Sequence, residues 1–457
     1  MLPLPSSYRD NDGFVFEHEG KIFRYVHPRY YTPYSQLMQS GLYEQLTIKK
    51  WLISHEEINE DLQFGFKQGK VLLPEQIAFI SYPYEWSFAM WQDAALLTLN
   101  IASAILKSNL FLKDATPFNI QFLKGKPVFI DTLSFEMYEE GQPWIAYRQF
   151  CESFLAPLLL MHYCNHDSYK LFTVYPNGIP LEILTTLLPK KCKWNLNVYL
   201  HIYLQAKISG NKKKKTNFRL NFTKQKQEIL LQGLKDMVRK LSPKKAKTTW
   251  DNYYTDTILG QDYLNTKNQL VQTFLSKIDF TTMIDLGAND GYFSLLYKNT
   301  EKQIVAVDGD ANCINDLYCK IRDQKITNIL PCINTLNTPS PAIGWNNNER
   351  DSFNKRMKAD LVLALALVHH LAIACNVPLT FIADWLETMG KYLLIEFVPK
   401  TDEKVQLLLQ NREDIFNSYT IENFELTFTK KYQIIFQEKI TGTERMLYLM
   451  KRINETA

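Results

Sequence analysis

The rhythm of apolar and polar positions changes near residue 248 of the 457-residue chain. Beyond that point short, almost uninterrupted apolar runs recur: IVAVD at 304–308, NILPCI at 328–333, DLVLALAL at 360–367 and YLLIEFV at 392–398, spaced by segments of helix length. Runs without polar alternation belong to strands buried on both faces, so they predict a mostly parallel sheet with helices on both sides. Ahead of them, TTMIDLGANDGYFSLLYKN at 281–299 reads as a strand ending at Asp285, a glycine-containing turn, and a helix begun by Phe293, Leu296 and Tyr297. Near the C-terminus, ENFELTFTKKY and ERMLYLMKR read as an antiparallel pair at the sheet edge.

Residues 1–189 follow a different pattern, rich in aromatics such as SYPYEWSFAMWQ at 81–92. Ala94, Leu97, Ile101 and Ile105 fall at helical spacing and predict a helix from Trp91 to Leu106. NIQFL (119–123) and PVFID (127–131), joined by Lys124-Gly125-Lys126, predict a tight hairpin. An α+β accessory domain is therefore expected ahead of an α/β one. Between them, 190–247 holds 17 Lys/Arg and 2 acidic residues in a chain whose net charge is +4. This basic linker or helical insert has NKKKKTN (211–217) as its expected exposed tip and a break at Ser242-Pro243. The expected division is thus 1–189, 190–247 and 248–457, without internal repeats.

Composition narrows the class. With 46% hydrophobic and 22% charged residues, and only 17 Gly and 19 Pro, the chain is globular and not of low complexity. Its 7 Cys are scattered without CxxC spacing, which excludes a disulfide framework or a zinc ribbon and fits a cytoplasmic location. MLPLPSSYRD has no basic segment followed by an apolar one, so no signal peptide is expected. Leu361 to Ala383 carries no formal charge but contains His369, His370, Asn376 and Pro378; it reads as a buried strand and a following helix, and no membrane partner is expected. His162 and His166 share a helical face, but without an HExxH glutamate no metal is expected there.

The turn Asp285-Leu-Gly287-Ala-Asn289-Asp-Gly291 lets the backbone bend sharply and a ligand approach without a Cβ in the way. Asp308, at the end of the next strand, stands where a carboxylate accepts from ribose hydroxyls. A G-x-G-x-x-G dinucleotide fingerprint is absent. DLGANDGYFS together with AVDGD resembles motif I and the second-strand acid of class I S-adenosylmethionine-dependent methyltransferases. The resemblance implies a Rossmann-like domain that binds S-adenosylmethionine, with Gly287, Asn289 and Gly291 lining the methionine end and Asp308 on the ribose. Asp285 and Asn334 complete the candidate cofactor set, Asn334 standing with Thr335 and Asn337 where the family often has an acid near the adenine. PSPAIGWNNNERDSF (339–353) and ALALVHHLAIACNVPL (364–379) resemble a bacterial group of large methyltransferases, some described as nodulation-protein-like.

The methylated atom is read from the residues after the fourth strand. An Asn/Asp-Pro-Pro-aromatic run, typical of amide and exocyclic-amine enzymes, is replaced by Val368-His369-His370-Leu371, and the Pro331-Cys332 pair lies a strand too early for a cytosine-C5 nucleophile. His369 or His370 can take a hydroxyl proton as general base, or simply pack the strand end. Glu396 is a second acid/base candidate, or an edge carboxylate. Trp345, Glu349 and Arg350 read as substrate contacts, or as a helix start with a local ion pair. The expected reaction is methyl transfer to a hydroxyl of a carbohydrate or small metabolite. The alternatives are RNA methylation through 190–247 with Phe218, Phe222, Trp250, Tyr253 and Tyr254, and a non-catalytic scaffold that only binds the cofactor.

In the first domain, Lys113-Asp114-Ala-Thr-Pro-Phe-Asn119, followed by Asp131, resembles the catalytic loop and metal-binding aspartate of protein-kinase-like folds. That implies a vestigial phosphotransfer site at Asp114, Asn119 and Asp131. Asp131 is followed by Thr132-Leu133, no Gly-rich loop lies upstream, and no strand lysine, Lys21 included, is singled out. The same aspartates can instead satisfy turns.

Overall fold

The computed structural model describes residues 2–58, 64–66, 68–210, 222–244, 261–410 and 412–453. The expected tip at 211–217, Phe218, Trp250, Tyr253 and Tyr254 fall outside these residues. The chain divides into two compact units, 1–246 with 342–351, and 247–341 with 352–457.

The first unit opens with an antiparallel sheet of β1 (Gly13–His18), β2 (Lys21–Val26), β3 (His55–Ile58) and β4 (Lys70–Pro74) in the order β1-β2-β4-β3. Phe16, Phe23, Tyr25, Phe64 and Val71 form its core, with the Phe16 and Phe23 rings stacked at 5.5 Å. Helix α1 (Phe88–Leu106) begins three residues ahead of its predicted start. It is long and apolar enough to cross a membrane, but 67% of that stretch is buried within the protein. After it come β5 (Leu110–Leu112), β6 (Ile120–Leu123), β7 (Lys126–Phe129) and β8 (Phe135–Met137). The predicted hairpin is β6–β7, and Lys124 (φ 52°) with Gly125 (φ 72°) gives the two left-handed residues a tight turn requires. Residues 190–210 and 222–244 belong to this unit and are largely helical. Helix α2 (Lys224–Lys240) lies against α1, where Gln92 donates to the carbonyls of Val238 (2.8 Å) and Leu241 (2.9 Å).

The second unit is built on a seven-stranded sheet. Its strands are β9 (Thr282–Leu286), β10 (Gln303–Asp308), β11 (Ile329–Ile333), β12 (Ala359–Ala364), β13 (Gly390–Phe397), β14 (Tyr432–Lys439) and β15 (Met446–Arg452). They lie in the order β11-β10-β9-β12-β13-β15-β14, parallel except for β15, which runs against both neighbours. This is the strand order of class I methyltransferases, and it places the ends of β9 and β10 side by side. Consecutive residues such as Ile304 to Val307 are all buried, which explains the unbroken apolar runs. The helices are α3 (Gln261–Leu275), α4 (Ala311–Asp323), α5 (Leu379–Glu387) and α6 (Ile421–Phe428). Asp310 caps α4 by accepting from the N–H groups of Asn312 (2.8 Å) and Cys313 (3.3 Å).

Two expectations are corrected. No α-helix follows the glycine turn; the chain makes one tight helical turn, Ser294–Tyr297, before Asn299 adopts a left-handed φ of 59°. Asn328 stops it there, taking the Asn299 N–H (2.8 Å) and donating to the carbonyls of Tyr297 and Lys302 (2.8 Å each). In the other case, ENFELTF is helix α6, and the edge strand starts only at Tyr432. Phe424 and Phe428 are four apart and both fully buried, so the helical period wins. Burying each such ring is worth about 1.5–3 kcal/mol.

Candidate functional site

The turn after β9 is sewn to β10 by backbone. Gly287 and Ala288 both donate to the Val307 carbonyl (2.8 and 2.9 Å), and Asn289 donates to Asp308 Oδ2 at 2.8 Å. Asn289 has φ 51°, a left-handed conformation that asparagine tolerates better than most residues, and its Oδ1 accepts from the Asp290 N–H at 2.7 Å. The glycines on either side serve different ends. At Gly287 (φ 76°) an added Cβ would meet only Leu367 Cδ1, at an ordinary 3.6 Å, so the turn is open to a ligand there. At Gly291 (φ 78°) it would strike Leu317 Cδ1 at 2.6 Å. The bare Gly291 therefore admits helix α4 to the turn, a packing role beside the ligand-lining one that the resemblance implies.

Asp308 holds both halves of the turn. Its Oδ2 takes Asn289 N–H and its Oδ1 takes Asp310 N–H, each at 2.8 Å, which leaves lone-pair capacity on the carboxylate for a hydroxyl donor. Burial pushes its carboxyl up from the ordinary range. Asp285 is buried and accepts from Ser294 Oγ at 2.7 Å; burial pushes it up to about 6. Asn334 is also buried, donating to Ser340 Oγ (2.9 Å) and accepting from Ser340 N–H (3.3 Å). Its side chain shapes the loop after β11, and its backbone N–H reaches the Asp308 carbonyl at 2.8 Å.

Beyond β12 come the two histidines, with ring centroids 4.1 Å apart. His369 is wholly buried and neither ring nitrogen has a hydrogen-bond partner, whereas His370 is partly exposed. Burial, reinforced by His370, Arg445 and Lys267, drives the His369 pKa far down; burial, with Arg445 and Lys404, takes His370 to about 4. Both imidazoles are neutral at pH 7, and His370, the less perturbed of the two, is the stronger base.

Glu396 stands at the end of the fifth strand, as the sequence placed it, and there it is held by cations. It is fully buried at the end of β13, with Lys267 Nζ at 2.5 Å, Tyr263 OH at 3.0 Å and Arg445 Nη1 at 3.3 Å. Arg445 also grips both Asp402 oxygens (2.7 and 3.0 Å) and donates to Tyr263 OH at 2.8 Å. Burial alone would raise the Glu396 pKa, but Lys267 and Arg445 outweigh it and hold it low, while burial pushes Lys267 down. A carboxylate so enclosed is a counterion rather than an acid/base shuttle. Lys267, Arg445, Tyr263 and Asp402 were not found from sequence. One signal existed: Lys267 stands on the same stripe of α3 as the buried Val271 and Phe274, an odd place for a charge without a partner.

Within the first unit, Asp114, Asn119 and Asp131 do meet. Asn119 Nδ2 donates to Asp114 Oδ2 (3.2 Å) and Ser134 Oγ (3.0 Å), and Ser134 donates to Asp131. Arg24, on β2, pairs with Asp131 at 2.5 Å, Gln149 donates to Asp114 at 2.5 Å, and Lys113 pairs with Asp12. These carboxylates are engaged by side chains, and among the described residues no group of three His, Cys, Asp or Glu is placed to hold a metal ion. Glu349 and Arg350 also belong to this unit. Glu349 is buried and accepts from Arg9 at 2.9 Å and the Trp345 N–H at 3.2 Å, Arg350 lies 4.4 Å over the Phe118 ring, and Trp345 is exposed. Both charged residues anchor the segment 342–351.

No family model matches the chain. It is 32% identical over 459 residues to nodulation protein NoeA of Rhizobium meliloti (strain 1021), covering 98% of this chain and 96% of that one. Among solved structures it is similar to the N-methyltransferase NodS of Bradyrhizobium japonicum WM9 in complex with S-adenosyl-l-homocysteine (12% identity, TM-score 0.33, 45% of this chain and 94% of that chain). It is also similar to the bifunctional kinase-methyltransferase WbdD (14% identity, TM-score 0.29, 42% of this chain and 38% of that chain). TM-scores this low carry no inference of their own. The strand order, the open Gly287 turn and Asp308 make the second unit a class I S-adenosylmethionine-dependent methyltransferase domain, and identity over nearly the whole length shows that the chain belongs to the family of nodulation protein NoeA.

Proposed function

We propose that the acceptor is a hydroxyl of a carbohydrate or other small metabolite. The observation that carries this reading is the pair of neutral imidazoles beyond β12, two and three residues after Leu367, whose side chain borders the open face of Gly287. Gly287 and Asp308 fit S-adenosylmethionine, one by its uncovered backbone and the other by its remaining lone pairs. When bound there, the cofactor supplies an electrophilic sulfonium methyl. As its oxygen is methylated a hydroxyl's proton becomes strongly acidic, so even a weak base such as His370, neutral and partly exposed, takes it. Wholly buried His369 packs against His370 and keeps its ring nitrogens free of protein partners. Lys267 and Arg445 are matched by Glu396 and Asp402, which limits the positive charge facing a cationic cofactor. Catalysis is then mostly positioning.

The test is incubation of the protein and methyl-labelled cofactor with fractionated lysate, sorted into RNA, protein, glycan and small molecules. Label in the glycan or small-molecule fraction, as an alkali-stable ether lost in His370→Asn, is expected. Label confined to RNA or protein would overturn the acceptor assignment.

A further inference from the structure

The first unit carries an exposed apolar and basic surface at 190–200. From Lys190 to Leu200 the chain makes a tight helical turn and enters a helix, held by buried Cys192 and Val198. Asn195 fixes the junction, its side chain accepting from the N–H groups of Asn197 (3.1 Å) and Val198 (3.3 Å). On this scaffold Trp194 is 90% exposed, Leu196 68% and Leu200 39%. Leu196 and Leu200 are four apart on one helical face, while Val198 and Ile202 occupy the buried face, so the helix is apolar inside and out. Lys190, Lys191 and Lys193 are all exposed beside Trp194. No Asp or Glu occurs between Glu182 and Glu228.

We infer that this face is a seat for an anionic phospholipid bilayer, on which the chain rests without crossing it. An indole with adjacent aliphatic side chains suits the boundary between headgroups and acyl chains, where apolar burial and attraction of lysines to anionic lipid add. Exposed leucines gain nothing from a nucleic acid, whose non-specific seats pair cations with aromatic stacking. The sequence expectation of no membrane partner rested on the lack of a spanning segment and does not bear on surface adsorption.

The experiment is flotation of the full chain with vesicles of phosphatidylcholine alone or mixed with phosphatidylglycerol, at low and high salt. Binding is expected to the mixed vesicles only, and to weaken with salt. At about fivefold per lysine, Lys190→Gln/Lys191→Gln/Lys193→Gln should bind about a hundredfold more weakly. Trp194→Ser should weaken binding to the mixed vesicles while leaving its salt dependence in place. These residues are exposed, so the variants keep wild-type circular dichroism. No flotation with anionic vesicles, or flotation indifferent to both variants, would overturn the inference. Binding of the same lysines to RNA in gel shifts, without vesicle binding, would overturn it in favour of a nucleic-acid surface.

Discussion

Replacing Glu396 by glutamine keeps the shape of the side chain and removes its charge. Lys267, 5% exposed, then loses the carboxylate 2.5 Å away and is left with the repulsion of Arg445, whose remaining partner is Asp402. Removing one partner of a buried pair costs about 3–5 kcal/mol, because the other charge stays out of water. For a unit of this size each kcal/mol moves the midpoint by about 2–4 °C, so Glu396→Gln should lower the calorimetric transition of the second unit by roughly 6–20 °C. Lys267→Met should cost a similar amount, and the double variant Lys267→Met/Glu396→Gln distinctly less than the sum, since the unpaired ammonium is gone. The sign with pH follows from the depressed Glu396 pKa: its stabilisation is present above the ordinary glutamate value and is lost as the pH falls through the folded one. A shift in Glu396→Gln under about 2 °C, or strict additivity in the double variant, would refute the counterion role and return Glu396 to the list of acid/base candidates.

Gly291→Ala should destabilise by about 1–3 kcal/mol in urea unfolding, because its Cβ collides with Leu317; Gly287→Ala, at a similar positive φ but without the collision, should cost less stability and more cofactor affinity. Asp131→Ala should cost about 3 kcal/mol by leaving Arg24, 14% exposed, without its carboxylate, while cofactor binding per folded molecule is unchanged. At His370 the unfolded chain takes up a proton below about pH 6.5 that the folded chain refuses until about pH 4. Stability should therefore fall across that window by up to about 3 kcal/mol, and His370→Asn should flatten the slope in acid unfolding scans.

The legible parts of the fold were those written locally. Unbroken apolar runs marked β10 to β13, the Lys124-Gly125 turn marked the β6–β7 hairpin, and the glycine turn followed by Asp308 marked the cofactor cleft. What stayed hidden depends on partners far along the chain. Nothing near Glu396 announces Lys267 or Arg445, and nothing near Asp131 announces Arg24. Gly291 looked like Gly287 until Leu317 came against it. The strand reading of ENFELTF failed because β-prone aromatics at a spacing of four fit a helix as well as a strand, and only burial against the sheet decides.

Calorimetric titration of S-adenosylhomocysteine into the full chain tests the central claim, that the Gly287 turn and Asp308 form a methyltransferase cofactor site. One molecule should bind per chain; Asp308→Asn should weaken it by at least about tenfold, the loss expected for a charge-assisted hydrogen bond of 1.5–3 kcal/mol, and Gly287→Val should weaken it by filling the open side of the turn, both retaining the wild-type circular dichroism spectrum. Absence of binding to the folded wild type, or wild-type affinity in both variants, would contradict it.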